Sequence, residues 1–69
     1  MTTLNEIINN GFQAFNINTT VFDEYTCGMV KVHVAGDVVV NVFVMDVKIN
    51  CAHDIDELMY ICKRVNARA

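Results

Sequence analysis

After the dipeptide Gly36-Asp37 the chain runs Val38-Val39-Val40-Asn41-Val42-Phe43-Val44-Met45 and on to Ile49, apolar at odd and even positions alike. Successive side chains of a strand point to opposite faces, so a half-solvated strand is apolar on one parity only. A strand that is apolar on both parities must be covered twice. A chain of 69 residues holds little material for a second cover, and it lies near the lower size limit for a core that stands alone. A core this small rarely contributes more than ~3–5 kcal/mol net. The run therefore points to a sheet with helices on one face and a partner on the other.

The rest of the chain supplies those helices. Thr3-Leu4-Asn5-Glu6 has the spacing of a capping box, in which hydroxyl and carboxylate satisfy the first free amides of a helix. Leu4, Ile7, Ile8, Phe12 and Phe15 then follow on one helical face,. Gly11 lies on that stripe, and an early helix end at Asn10-Gly11 is the alternative reading,. Asp54 is a good N-cap for a second helix, with Asp56 and Glu57 in its first turn and Ile55, Leu58, Met59, Cys62 and Val65 as its buried stripe,. Tyr60, Ile61, Lys63, Arg64 and Arg68 fall off it.

Between the helices, Ile17–Tyr25, Met29–Ala35 and Val38–Ile49 read as three strands,. A two-residue loop at Gly36-Asp37 pairs Val34 with Val39, Val32 with Asn41 and Val30 with Phe43. The inner face then holds Val30, Val32, Val34, Val39, Phe43, Met45, Val47 and Ile49. The outer face carries Val38, Val40, Val42 and Val44 beside Met29, Lys31 and His33. A loop of odd length swaps the third-strand sets. A bulge near Phe43–Met45 changes parity within the strand and reduces the excess. Short connections favour an antiparallel meander. The expected fold is a single two-layer α+β domain of order α-βββ-α, with both helices on one face of a three-stranded antiparallel sheet.

The functional reading is mostly one of surfaces. A net charge of −3 argues against direct nucleic-acid binding, which needs clustered cations to neutralise phosphates. Lys31 and His33, with Tyr25 or Phe43 nearby, imitate a base-stacking platform,, but the basic charge beside it is missing. No apolar run reaches the ~20 residues of a membrane span. The start Met-Thr-Thr-Leu-Asn-Glu lacks the features of a signal peptide,, so a cytoplasmic protein is expected. Three cysteines, Cys27, Cys51 and Cys62, are an odd set that suits reduced thiols.

Cys27, His33, Cys51, His53 and Cys62 include enough ligand types for zinc, but the close paired spacing of structural sites is lacking. A metal- or small-ligand-binding regulator built on the first four is the rival reading, and a small subunit of a larger complex is a third. No cofactor is expected. No activated nucleophile, carboxylate pair or phosphate loop is recognisable, so an enzyme is not expected. The expected partner surface is the row Val38, Val40, Val42 and Val44 with Lys31 and His33, and Asp23, Glu24 and Asp37 as polar contacts,. A homodimer would complete so small a core.

The spans Leu4–Phe15, Ile17–Ile49 and Ile55–Val65, read as helix, strands and helix in a tiny, Asn-rich, acidic chain, resemble the layout of small phage-encoded inhibitors, including some anti-CRISPR proteins. The resemblance implies a non-enzymatic inhibitor that blocks a bacterial defence or host machine by steric and electrostatic occlusion. It also implies a protein target, such as a nucleic-acid-processing complex. In that group acidic surfaces often occupy nucleic-acid sites, and the modest charge of this chain departs from that pattern.

Overall fold

A computed structural model describes residues 1–17, 21–50 and 54–67. The element order is α1 (Leu4–Asn9), β1 (Gln13–Asn16), β2 (Asp23–Cys27), β3 (Val30–Ala35), β4 (Val38–Val44), β5 (Val47–Ile49) and α2 (Ile55–Asn66). The five strands form one antiparallel sheet in the order β1-β2-β3-β4-β5. The α+β class and the meander agree with the expectation. The number of strands does not, and the two differences have local causes.

The first lies at α1. The capping box forms: Thr3 Oγ1 accepts from the Glu6 amide at 3.3 Å, and Glu6 Oε1 accepts from the Thr3 amide at 2.9 Å. The helix lasts only six residues. Gly11 turns the chain out of it at φ +100°, a conformation that costs glycine little. The Phe12 amide still bonds back to the Ile7 carbonyl at 3.0 Å, and its ring is buried. Gln13–Asn16 then becomes an edge strand, with a bulge between Ala14 and Asn16 opposite β2. The early end at Asn10-Gly11 is the reading that holds, and Phe15 belongs to the sheet. Of the expected strand Ile17–Tyr25 only the end is strand, in β2, while β1 lies before it; residues 18–20 lie outside the described residues.

The second difference is a turn at Met45-Asp46, which splits the expected strand Val38–Ile49 into β4 and β5. Both turn residues are left-handed, with φ +50° and +68°. Gly36-Asp37 turns in the same way at +58° and +65°. Two successive positive φ values mark the hairpin turn whose twist matches its strands.

The register of β3 on β4 departs from the simple hairpin. Ala35 pairs with Val38 and Val34 with Val39, as the two-residue loop requires. His33 then pairs with Asn41, Val32 with Val42 and Val30 with Val44. Val40 is the extra residue of a bulge, which reverses parity for the rest of β4. The expected pairs Val32–Asn41 and Val30–Phe43 are therefore corrected. The parity change comes at Val40, not near Phe43–Met45.

The core follows from this register. Val30, Val32, Val34 and Val42 join Ile7, Phe12, Leu58 and Cys62 in one buried cluster, with Leu4, Tyr25, Val39, Val44, Ile49, Ile55, Met59 and Val65 against it. Both helices thus cover the same sheet face, as expected. Asp54 caps α2 by accepting from the Glu57 amide at 2.9 Å. At the other end, the Asn66 carboxamide grips the β2–β3 turn. Its Oδ1 accepts from the Met29 amide at 2.8 Å, and its Nδ2 donates to the Cys27 carbonyl at 3.0 Å. Gly28 at φ +62° makes room for this clamp, since a Cβ there would collide with the carboxamide. The N-terminal segment pairs with the start of β4, where β5 does not reach: Thr3 bridges Val38, Val39 donates to the Thr2 carbonyl and Leu4 to that of Asp37, both at 2.9 Å.

The clamp yields a stability test. Gly28→Ala is expected to cost about 2–3 kcal/mol, from left-handed strain and collision. Asn66→Ala is expected to cost about 1–2 kcal/mol for two lost hydrogen bonds. In urea unfolding the double variant should fall short of the sum, because removing the carboxamide clears the space the new methyl needs.

Candidate functional site: the outer sheet face

Register fixes which residues share the face away from the helices. Thr26, Lys31, Phe43 and Lys48 line up across β2 to β5, and Glu24, His33 and Asn41 form the adjacent row. Every one of these residues keeps some solvent exposure, and none joins the core cluster. Phe15 and Phe22 reach the same face from the β1 side, as their ring contacts show. The Phe22 ring stacks on His33 with centroids 4.9 Å apart, and the Phe43 ring lies tilted against the imidazole at 4.7 Å. The Lys31 ammonium sits 5.8 Å from the Phe15 centroid and 5.9 Å from that of Phe43, within reach of a cation–π attraction.

The polar groups are tied into this aromatic layer. Asn41 Nδ2 can only donate, so His33 Nδ1, 3.3 Å away, accepts,. On the other edge of the ring, His33 Nε2 donates to Glu24 Oε2 at 3.2 Å,. Lys31 lies 3.9 Å from Asp46 Oδ1. Lys31 and Lys48 are thus balanced by Glu24 and Asp46. The face is an apolar layer with no surplus of either sign.

One end of the face is the most apolar. The β2–β3 and β4–β5 turns are joined by a hydrogen bond from the Met45 amide to the Met29 carbonyl at 3.0 Å. Their side chains, with Phe15, Lys31 and Asp46, line a cleft of about 260 Å³. Phe15 is 64% exposed and Met45 62%. Methionine is a poor choice for a left-handed turn position, where a residue with a Cβ other than Asn or Asp costs roughly 1–2 kcal/mol against glycine. A larger cleft of about 450 Å³ opens at the β4 edge between the N-terminal segment and β5, lined by Met1, Thr2, Val39, Val40, Asn41, Val42, Ile49 and Asn50. The Thr2 hydroxyl is buried there without a hydrogen-bond partner among the described residues.

The residues expected at a partner surface are divided by the fold. Lys31 and His33 lie on the outer face as expected. The expected row Val38, Val40, Val42 and Val44 is corrected: Val42 is buried, Val44 packs against the core, and only Val38 and Val40 remain at the surface side of β4. The bulge turned the other two inward. Phe43, expected inside, is outside, and Met45 occupies a turn. Glu24 holds His33, while Asp23, paired in register with Val34, is on the opposite face from Glu24. Asp37 is exposed in the β3–β4 turn. Phe15 and Phe22 were missed as surface residues. Phe15 was read onto a helix stripe, and Phe22 fell within the expected strand Ile17–Tyr25 without being assigned a face.

The ligand set of the rival, metal-binding reading does not assemble among the described residues. Cys27 and His33 lie on opposite faces, because Cys27 pairs with Val30 and His33 with Glu24. No group of three or more His, Cys, Asp or Glu side chains suits a metal ion among the described residues. Cys51 and His53 lie outside them. Cys62 is buried beside Cys27, and burial, reinforced by the Cys27 thiol, pushes its pKa up to about 12. Among the described residues no helix is long and apolar enough to cross a membrane.

No protein-family model, curated protein or solved structure matches this chain.

The Cys62 shift has a checkable sign. The unfolded thiol ionises near 9.0 and the folded one near about 12. The folded state holds the proton more tightly, so this contribution is complete below pH 9 and is lost as pH climbs through 12. Urea midpoints measured from pH 8 to 11 should therefore fall more steeply for the wild type than for Cys62→Ala. The Ala variant is expected to be less stable at pH 8 by about 1–2 kcal/mol because of the vacated core volume.

Proposed function

We propose that this protein is a non-enzymatic protein-binding module whose docking surface is the outer sheet face. The observation that supports the reading is the layer of exposed Phe15 and half-buried Phe22 and Phe43 around Lys31 and His33, which no helix covers among the described residues. An aromatic centre with charged groups at its margin is the composition of a protein interface. The balanced charge leaves no cationic surplus for phosphates, which disfavours direct nucleic-acid binding. The face is a layer of interlocked rings with one small cleft, and its polar groups are tied to one another.

The narrower form of the reading is a phage- or mobile-element-encoded inhibitor, of the anti-CRISPR type, that occludes a bacterial defence or host machine. Its support is the order of helix, sheet and helix, the small size and the acidic balance away from the outer face. In this form the domain acts by occupying a surface of its target and needs no cofactor.

The test is co-purification of tagged chain from its native host, comparing wild type with Phe43→Asp and with Tyr60→Asp, an exposed position on α2. A partner retained by the wild type and by Tyr60→Asp but lost by Phe43→Asp supports the reading. Equal retention by both variants, with the fold intact by circular dichroism, would place binding elsewhere and overturn it.

A further inference from the structure

We infer that the turn end of the outer face is occupied by a second copy of this chain, packed about a two-fold axis with Met45 of each copy in the cleft of the other. The inference rests on the reading of the outer face as a protein interface and names an occupant for one part of it.

Three observations converge on it. The first is the cleft between Phe15, Met29, Lys31, Met45 and Asp46, about 260 Å³ in volume. It is smaller than the ~300–1,000 Å³ of ordinary ligand pockets, which suits a single apolar side chain. Methionine is the residue that adapts best to such irregular apolar sites.

The second is the backbone at Met45. At φ +50° it occupies a conformation that Asn or Gly adopts more readily. The exposed thioether gives the monomer nothing evident in return. Local strain kept at an exposed apolar residue is the pattern of a surface built for contact.

The third is charge. Lys31 and Asp46 flank the cleft 3.9 Å apart. An interface about a two-fold axis places the same patch against itself. A patch carrying one cation and one anion side by side is then self-complementary, with Lys31 of each copy facing Asp46 of the other. A patch of one sign would repel its own image. The available area limits the strength of the contact: no face of the described molecule exceeds 32 × 21 Å, less than the ~800 Å² per partner of a standard interface. Such a dimer is expected to be of modest affinity.

Sedimentation velocity over roughly 1–500 µM, the range in which a modest interface dissociates, reads the outcome. The wild type should pass from monomer to dimer. Met45→Asn should weaken association at least tenfold, while its melting temperature, at a concentration where the wild type is monomeric, stays equal or rises. Lys31→Glu and Asp46→Lys should each be monomeric alone, and a mixture of the two chains should form a one-to-one dimer, since both crossed pairs are then of opposite sign. A wild type that stays monomeric throughout overturns the inference. So does a dimer untouched by Met45→Asn, or a charge-swapped mixture that fails to associate. If the wild type is monomeric and Phe43→Asp still loses a co-purifying protein, the occupant is that other protein, and the docking reading survives without the second copy.

Discussion

Val40 has no partner across the sheet, and much of the molecule follows from that. Before it, odd residues of β4 face the helices; after it, even residues do. The switch puts Val39, Val42 and Val44 on one face beneath the helices, and Val38, Asn41 and Phe43 on the other. Without the bulge, Phe43 would displace a valine in the layer that α1 and α2 cover, and Asn41 would lie opposite Val32. A buried carboxamide without partners there would cost roughly 1–3 kcal/mol. The bulge removes that conflict and gives Asn41 a position beside His33.

The same event links core and surface. Once Phe43 is outside, its ring and that of Phe22 both pack on His33, and it forms half of the seat for Lys31. The inner face is sealed by helices whose placement is fixed at both ends of the sheet. The capping box and the Thr2–Val39 and Leu4–Asp37 hydrogen bonds hold α1 near the β3–β4 turn. Asn66 holds the end of α2 on the β2–β3 turn. Among the described residues no helix packs on the outer face, so the sheet carries a sealed core on one side and an aromatic layer on the other.

Helix caps, the second helix and its stripe, the Gly36-Asp37 turn and the antiparallel meander were legible in the sequence because each depends on neighbours within a few residues. Thr3 with Glu6 and Asp54 with Glu57 are contacts of that kind. The bulge was not placed correctly, because nothing local marks Val40 within a run of valines. Its position is set by what Asn41 and Phe43 would meet across the sheet. The Met45-Asp46 turn was hidden for a different reason: Met45 is not a usual occupant of a left-handed turn position,. The outer face was therefore expected to be a row of valines, and is instead a layer of phenylalanines, two of them, Phe15 and Phe43, positioned by strand bulges. The argument for a covered second face changes its residues accordingly. The excess of apolar surface on β4 alone is largely absorbed by the core.

Nuclear Overhauser contacts across β3 and β4 measure the parity change directly. Cross-strand contacts of Val32 with Val42 and of Val30 with Val44, together with ring contacts from His33 to both Phe22 and Phe43, are the expected result. Contacts of Val32 with Asn41 and of Val30 with Phe43 would mean an unbroken hairpin with Phe43 inside, and would contradict both the core and the surface described for this protein.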